Sequence, residues 1–189
     1  DRTQFMLTGG DVLSPDTISI SQESEYDSDT NAVPAVSGKY VFFPFSRGSF
    51  SGLMEYAVSR DTEQMVGEDV TAHVPKYIEG NITRITSNSN DPVLVVTSSG
   101  YTTGIYVYSY YVSGDKKVQA SWSKYDFGSD ATVRSADFIG KDLYVSVKRD
   151  DGLFVERVSF RIGQSDDGST FTVRLDRRLT EASTGVSLS

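Results

Sequence analysis

The sequence predicts an all-β chain, made of β-propeller-like blades of antiparallel strands with one short helical connector. Two observations carry this expectation. Eleven Tyr and ten Phe stand beside many Val, Thr and Ser, the residues that fit a pleated, half-buried surface. The second observation is a repeat. Three times a compact apolar strand is followed, about a dozen residues later, by a strand of alternating pattern, and the copies recur about every 50 residues, as propeller blades do. A sandwich or a set of stacked sheets is the other way to bury such strands.

The elements follow in order. Residues 21–31 are polar and acidic and read as an exposed loop. The first copy pairs Tyr40-Val41-Phe42-Phe43 with Leu53-Met54-Glu55-Tyr56-Ala57-Val58. Its last strand is replaced by residues 67–79, where Asp69 can cap a short helix with Val70, Val74 and Ile78 on one face. Pro75 removes the donor that would bond Thr71, which limits this connector to a helical turn or two. The second copy holds Leu94-Val95-Val96 and Ile105-Tyr106-Val107-Tyr108, and reads as four strands at 82–87, 92–99, 104–111 and 118–127. The third holds Leu143-Tyr144-Val145 and Leu153-Phe154-Val155-Glu156-Arg157-Val158, with strands at 133–139, 142–148, 153–162 and 170–177. Ser113-Gly114-Asp115-Lys116 and Arg149-Asp150-Asp151-Gly152 supply turns between strands, as do Ser89-Asn90-Asp91-Pro92 and Ser165-Asp166-Asp167-Gly168. The blade-like units are expected at about 11–66, 80–128 and 131–179, with the connector at 67–79, so that 1–189 forms part of a larger propeller-like domain. The chain begins at Asp1 rather than Met and closes on a polar Ser/Thr/Gly stretch, and both ends read as cuts in a longer polypeptide, an appearance that processing would also give.

Composition removes several classes of function. There is no cysteine, so disulfides, thiolate metal sites and thiol chemistry are excluded. No apolar run approaches the roughly 18 to 20 residues of a membrane span. The formal charge is −8, from 18 Lys and Arg against 26 Asp and Glu. Affinity for DNA comes largely from basic residues that displace counterions from phosphates. An acidic chain without a Lys/Arg cluster suits a surface that DNA slides past, and equally suits ordinary solubility.

Motif by motif, the chemistry is thin. His73 is the only histidine; a Ser-His-Asp triad would have to use it, and its place in the connector reads as structural. Asp27-Ser28-Asp29-Thr30-Asn31 matches the opening of a calcium loop, but Ala32 stands where Gly is needed and Gly38 where the bidentate Glu belongs. That stretch reads as a solvated acidic loop. Ser37-Gly38-Lys39 resembles the end of a phosphate loop, yet Val33 and Tyr40 occupy its other key positions and an apolar strand follows. A carboxylate pair for glycoside hydrolysis needs two acids facing a cleft, whereas most acids here sit in turns beside Gly or Ser. Tyr106, Tyr108, Tyr110 and Tyr111 with Trp122 could offer a sugar-binding face. Alternation places Tyr106, Tyr108 and Tyr110 on one side of their sheet and Ile105, Val107 and Tyr111 on the other, and packing between blades accounts for them as well. No catalytic, cofactor-binding or metal-ligating residue is assigned.

Three stretches carry a family resemblance: Gly10-Asp11-Val12-Leu13-Ser14-Pro15, Thr71-Ala72-His73-Val74-Pro75-Lys76-Tyr77-Ile78, and Tyr106-Val107-Tyr108 followed by Lys117-Val118-Gln119-Ala120-Ser121-Trp122-Ser123-Lys124-Tyr125. In their order and spacing they resemble the tail tubular protein B, or nozzle, family of T7-like short-tailed bacteriophages (podoviruses), of which this chain would be a fragment. The resemblance implies a structural virion protein and no enzyme activity. It implies a hexameric ring of propeller-bearing subunits forming the distal tail tube, through which DNA is ejected. Partners would be the gatekeeper-adaptor tail tubular protein above, tail fibres at the flank, and DNA in transit without specific binding. The alternative of another class is a tail domain that binds or hydrolyses envelope glycans.

Overall fold

The computed structural model describes residues 4–8, 18–58, 65–88, 91–114 and 116–160. Residues 1–158 form one compact unit and 159–189 a second; the strands below belong to the first, β14 ending one residue past its boundary. Every regular element among the described residues is a strand.

Two strands, β1 (Gln4–Thr8) and β2 (Ser19–Ser24), pair as an antiparallel ribbon. The loop expected from residue 21 therefore begins later, because residues 21–24 complete a ladder with β1. The first large sheet is built from β3 (Ala35–Ser37), β4 (Tyr40–Arg47), β5 (Phe50–Val58) and β6 (Met65–Asp69) side by side, with the two-residue β7 (Ile78–Glu79) also pairing β5. The second holds β8 (Ile82–Ser87), β9 (Val93–Ser98), β10 (Gly104–Ser113) and β11 (Lys116–Asp126) in sequence order. The third holds β12 (Thr132–Ile139), β13 (Asp142–Arg149) and β14 (Gly152–Ser159). The expected strands at 82–127 coincide with β8 to β11, and those at 133–148 with β12 and β13. The one expected at 170–177 lies outside the described residues.

Short loops set the registers. Ser37 pairs Tyr40 across Gly38 and Lys39, and Gly38 has φ +60°. Only a residue without Cβ adopts that conformation freely. Ser37-Gly38-Lys39 is therefore the corner of a β-hairpin. Gly114, also at positive φ, turns β10 into β11.

The core forms because two sheets each turn an apolar face to the other. Tyr40, Phe42, Leu53, Val70 and Ile78 of the first sheet and its connector meet Ile82, Ile85, Leu94, Val96, Tyr106, Tyr108 and Tyr110 of the second. Each fully buried Leu, Ile or Phe contributes about 1.5–3 kcal/mol relative to exposure. On the other face of the second sheet Val93, Val95, Ile105 and Val107 are buried too. There β12 lies against β8, β9 and β10, and Ala136, Leu143, Val145 and Val147 of the third sheet are likewise buried. Being covered on both sides is why β9 and β10 read as near-continuous apolar runs.

The helical connector expected at 67–79 is not a helix. Gly67–Asp69 finish β6 and Ile78–Glu79 form β7. Between them the backbone makes bonds from Ala72 N to Asp69 O (3.2 Å), Val74 N to Thr71 O (2.9 Å) and Tyr77 N to Val74 O (3.0 Å). Each spans three residues, so the segment is a chain of tight turns. Asp69 does cap, its Oδ1 accepting from Thr71 N at 2.8 Å. Val70 N is drawn instead to Leu53 O at 3.1 Å, and Pro75 has no donor to offer. Val70 and Ile78 reach the core as the apolar pattern foresaw.

Candidate functional site, an aromatic and cationic seam

The densest chemistry lies where the outer half of the second sheet meets the first. Tyr106, Tyr108 and Tyr110 point from β10 into this seam and are almost fully buried. Tyr108 packs on Trp122 at 4.9 Å between ring centroids and on Phe42 at 6.1 Å. Tyr106 packs edge-on against Tyr77 at 5.5 Å, and Tyr110 against Tyr40 at 5.9 Å. Their hydroxyls are used across the seam. Tyr106 Oη accepts from Glu79 N at 3.1 Å, and Tyr110 Oη shares a hydrogen bond with Ser37 Oγ at 2.8 Å. Trp122 Nε1 donates to Val70 O at 3.0 Å. These rings are packing residues between sheets and have no face left for a sugar.

Two lysines of β11 complete the seam. Lys117 Nζ pairs with the Glu55 carboxylate of β5 and lies 5.2, 5.6 and 5.4 Å from the ring centroids of Tyr40, Tyr108 and Tyr110. Lys124 Nζ pairs with Glu79 at 3.1 Å and lies 5.1, 5.0 and 5.2 Å from the rings of Tyr77, Tyr101 and Tyr106. Each ammonium thus has a carboxylate and three π-faces, an arrangement that suits a cation leaving water.

A β-bulge aims both lysines the same way. Tyr110 pairs Ala120 and Tyr111 pairs Gln119, but Val112 pairs Lys117, so Val118 is the extra residue. In regular register Lys117 would lie one position further along and face away from the tyrosines. Sequence reading assigned no role to Lys117, Lys124, Glu55 or Glu79. The only signal was that both lysines lie within the Lys117–Tyr125 stretch on which the family resemblance rests.

The electrostatics follow from burial. Glu55 and Lys117 keep only 6% and 15% of their side-chain exposure. Burial pushes the Glu55 carboxyl above its ordinary range, against the opposing hydrogen bond and charge of Lys117. Burial likewise pushes the Tyr108 phenol far up, reinforced by Glu55 and Glu68. For Lys124, burial works against the charge, but the hydrogen bond to Glu79 and the neighbouring phenols outweigh it and its pKa rises.

A second set of links joins the first strands of the three sheets. Ser87 Oγ of β8 donates to Val36 O of β3 at 2.7 Å. Arg84 of β8 pairs with Asp137 of β12, whose other carboxylate oxygen accepts from Thr86 Oγ1 at 2.7 Å. Burial raises the Asp137 pKa, the bonds from Thr86 and Arg84 lower it, and the net shift is downward.

The remaining sequence candidates lie apart from one another. His73 is exposed on the turn series, without a side-chain partner among the described residues. Asp29 closes its own loop, its Oδ1 accepting from Asn31 N at 3.0 Å. Among the described residues no group of three His, Cys, Asp or Glu could hold a metal ion, and no helix is long and apolar enough to cross a membrane.

Buried tyrosines and ion pairs thus join sheet to sheet. In comparison with known proteins, the family model for bacteriophage nozzle proteins matches residues 1–189. The chain belongs to the bacteriophage nozzle protein family. Tail tubular protein gp12 of Escherichia phage T7 is 28% identical to it over 181 residues, which is 95% of this chain and 23% of that protein. The nozzle-family chain thus spans less than a quarter of the length of this relative.

Proposed function

We propose that this chain is part of the wall of the distal tail tube, or nozzle, of a short-tailed phage, through which DNA is ejected into the host. The family match over residues 1–189 carries the reading. On it, the intact protein forms a hexameric ring in the virion tail, docked on the gatekeeper-adaptor tail tubular protein and met by tail fibres. Genomic DNA passes through in transit, and an acidic chain of formal charge −8 favours that passage by offering phosphates few cations to bind.

Two features of the fold support a propeller for the sheets. Apart from the two-residue β7, each sheet adds its strands in sequence order. The first strands of successive sheets lie together, β3 beside β8 and β8 beside β12. That is the path of blades arranged around an axis, each beginning at the centre and ending at the rim. The blade-like units are then those at about 11–66, 80–128 and 131–179, with 67–79 as the link between the first two.

The role is structural and involves no catalytic step. Of the tyrosines that could stack on a glycan, Tyr106, Tyr108 and Tyr110 are spent inside the seam, and Tyr111 alone stays exposed. Gold-labelled antibody raised against the chain tests the assignment on purified virions. Label at the tail tip is expected; label confined to the capsid, or release of reducing ends from host glycans by the chain, would sink it.

A further inference from the structure

The seam between the first and second sheets is chemically divided. Along its inner half it is apolar, with Phe42 of β4 facing Ile82 and Ile85 of β8 and Leu94 and Val96 of β9, all buried in one cluster. Along its outer half the β10 tyrosines pack on Tyr40, Phe42 and Tyr77, and β11 adds contacts that are mostly ionic or polar: Lys117 with Glu55, Trp122 Nε1 with Val70 O, and Lys124 with Glu79. Away from the seam β11 has little cover, and Gln119, Ser121 and Tyr125 are exposed on its far face. The β10 ladder holds it on one side, and at its far end the Asp126 carboxylate accepts from Tyr101 Oη at 2.8 Å and Thr103 Oγ1 at 3.0 Å.

We propose that β11 is a clasp, and that the first and second sheets part from their outer side inward, with the apolar contact of β8 and β9 as the hinge line. An ion pair open to solvent adds little to stability, whereas each fully buried aliphatic side chain of the inner half adds more. The two ends of the clasp differ as well. Lys117 and Glu55 are buried and little screened by salt, while Lys124 and Glu79 keep 33% and 50% of their side-chain exposure and respond to it. The Lys124 end therefore opens first. This device does not depend on the tube assignment, since it follows from the seam alone.

Trp122 is the only tryptophan of the chain and sits in the middle of the clasp, so its emission reports opening directly. Urea titration of the full chain would follow acrylamide quenching of Trp122 alongside far-UV circular dichroism. Trp122 is expected to become accessible at a lower urea concentration than the one at which the sheets are lost. Lys117→Met and Lys124→Met should each lower the Trp122 midpoint while moving the dichroism midpoint less. Salt at about 1 M, where the Debye length is about 3 Å, should lower it in Lys117→Met and leave it nearly unchanged in Lys124→Met. In native-state hydrogen exchange, β11 amides bonded to β10 should exchange on the order of tenfold faster than those of β9. Coincident Trp122 and dichroism transitions in the unsubstituted chain overturn the proposal, whatever the variants do. Equal exchange in β11 and β9 does the same.

Discussion

Lys117 shows how a single charge can be held inside an aromatic seam. Its partner Glu55 is nearly out of water, so the pair stands on mutual attraction and on three tyrosine faces. Removing one member of a buried pair typically costs about 3–5 kcal/mol, because the other charge is left without compensation. Lys117→Met should therefore be strongly destabilised in urea unfolding at neutral pH, and adding Glu55→Gln should restore most of the loss. The pH dependence has a definite sign. Burial raises the folded pKa of Glu55 above its ordinary 4.5, so the folded state holds that proton more tightly than the unfolded chain. Stability from this group is present below about 4.5 and lost as pH rises through the folded value. Without Lys117 the loss should be larger and extend to higher pH, and a Lys117→Met profile with no such descent would contradict this account.

At the scale of elements, the segment after β6 is the instructive case. Its cap at Asp69 and its apolar positions Val70, Val74 and Ile78 suit a helix, and Pro75 shortens it. The folded chain breaks it further because Val70 N donates to Leu53 O and Leu53 N donates to Thr71 Oγ1 at 3.3 Å. A helix would have to give up both bonds to the neighbouring strand. Thr71 is 1% exposed, so its hydroxyl has no water to fall back on. Thr71→Val keeps the shape and strands the Leu53 amide, and should cost about 1–3 kcal/mol by urea unfolding. A change below a few tenths would show that the turn series is held by apolar contacts alone. The bulge at Val118 is a second feature no periodicity count reveals, since it depends on how β11 registers against β10.

For the molecule as a whole, the titratable groups bound a pH window. Tyr101, Tyr108 and Tyr110 have phenols raised above 10.0, each chiefly by burial. Their contribution is complete below 10.0 and lost as pH climbs past it toward the folded values. Asp126 and Asp137 are lowered from 3.8, Asp126 mainly by the hydrogen bond from Tyr101 Oη at 2.8 Å. They contribute above 3.8 and lose that contribution as pH falls below it. The chain should therefore lose stability beyond both limits, with Tyr108→Phe softening the alkaline descent in a thermal-melt series. An alkaline limb unchanged in that variant would place its cause elsewhere.

The sequence by itself determined the all-β class, most strand positions and the placing of Tyr106, Tyr108 and Tyr110 on one face of their strand; that this face is a packed seam was left to the structure. Alternation and turn chemistry act over a few residues, so they are legible in a few residues. Family membership was legible too, in three stretches whose order spans much of the chain. Only the tertiary structure decided that residues 70–77 form linked turns, that Lys117 and Lys124 share a face, and that Glu55 and Glu79 receive them. Each of these depends on partners distant along the chain, 62 residues apart for Lys117 and Glu55. No local pattern encodes a partner that far away; sheet stacking and one slipped register bring it within reach.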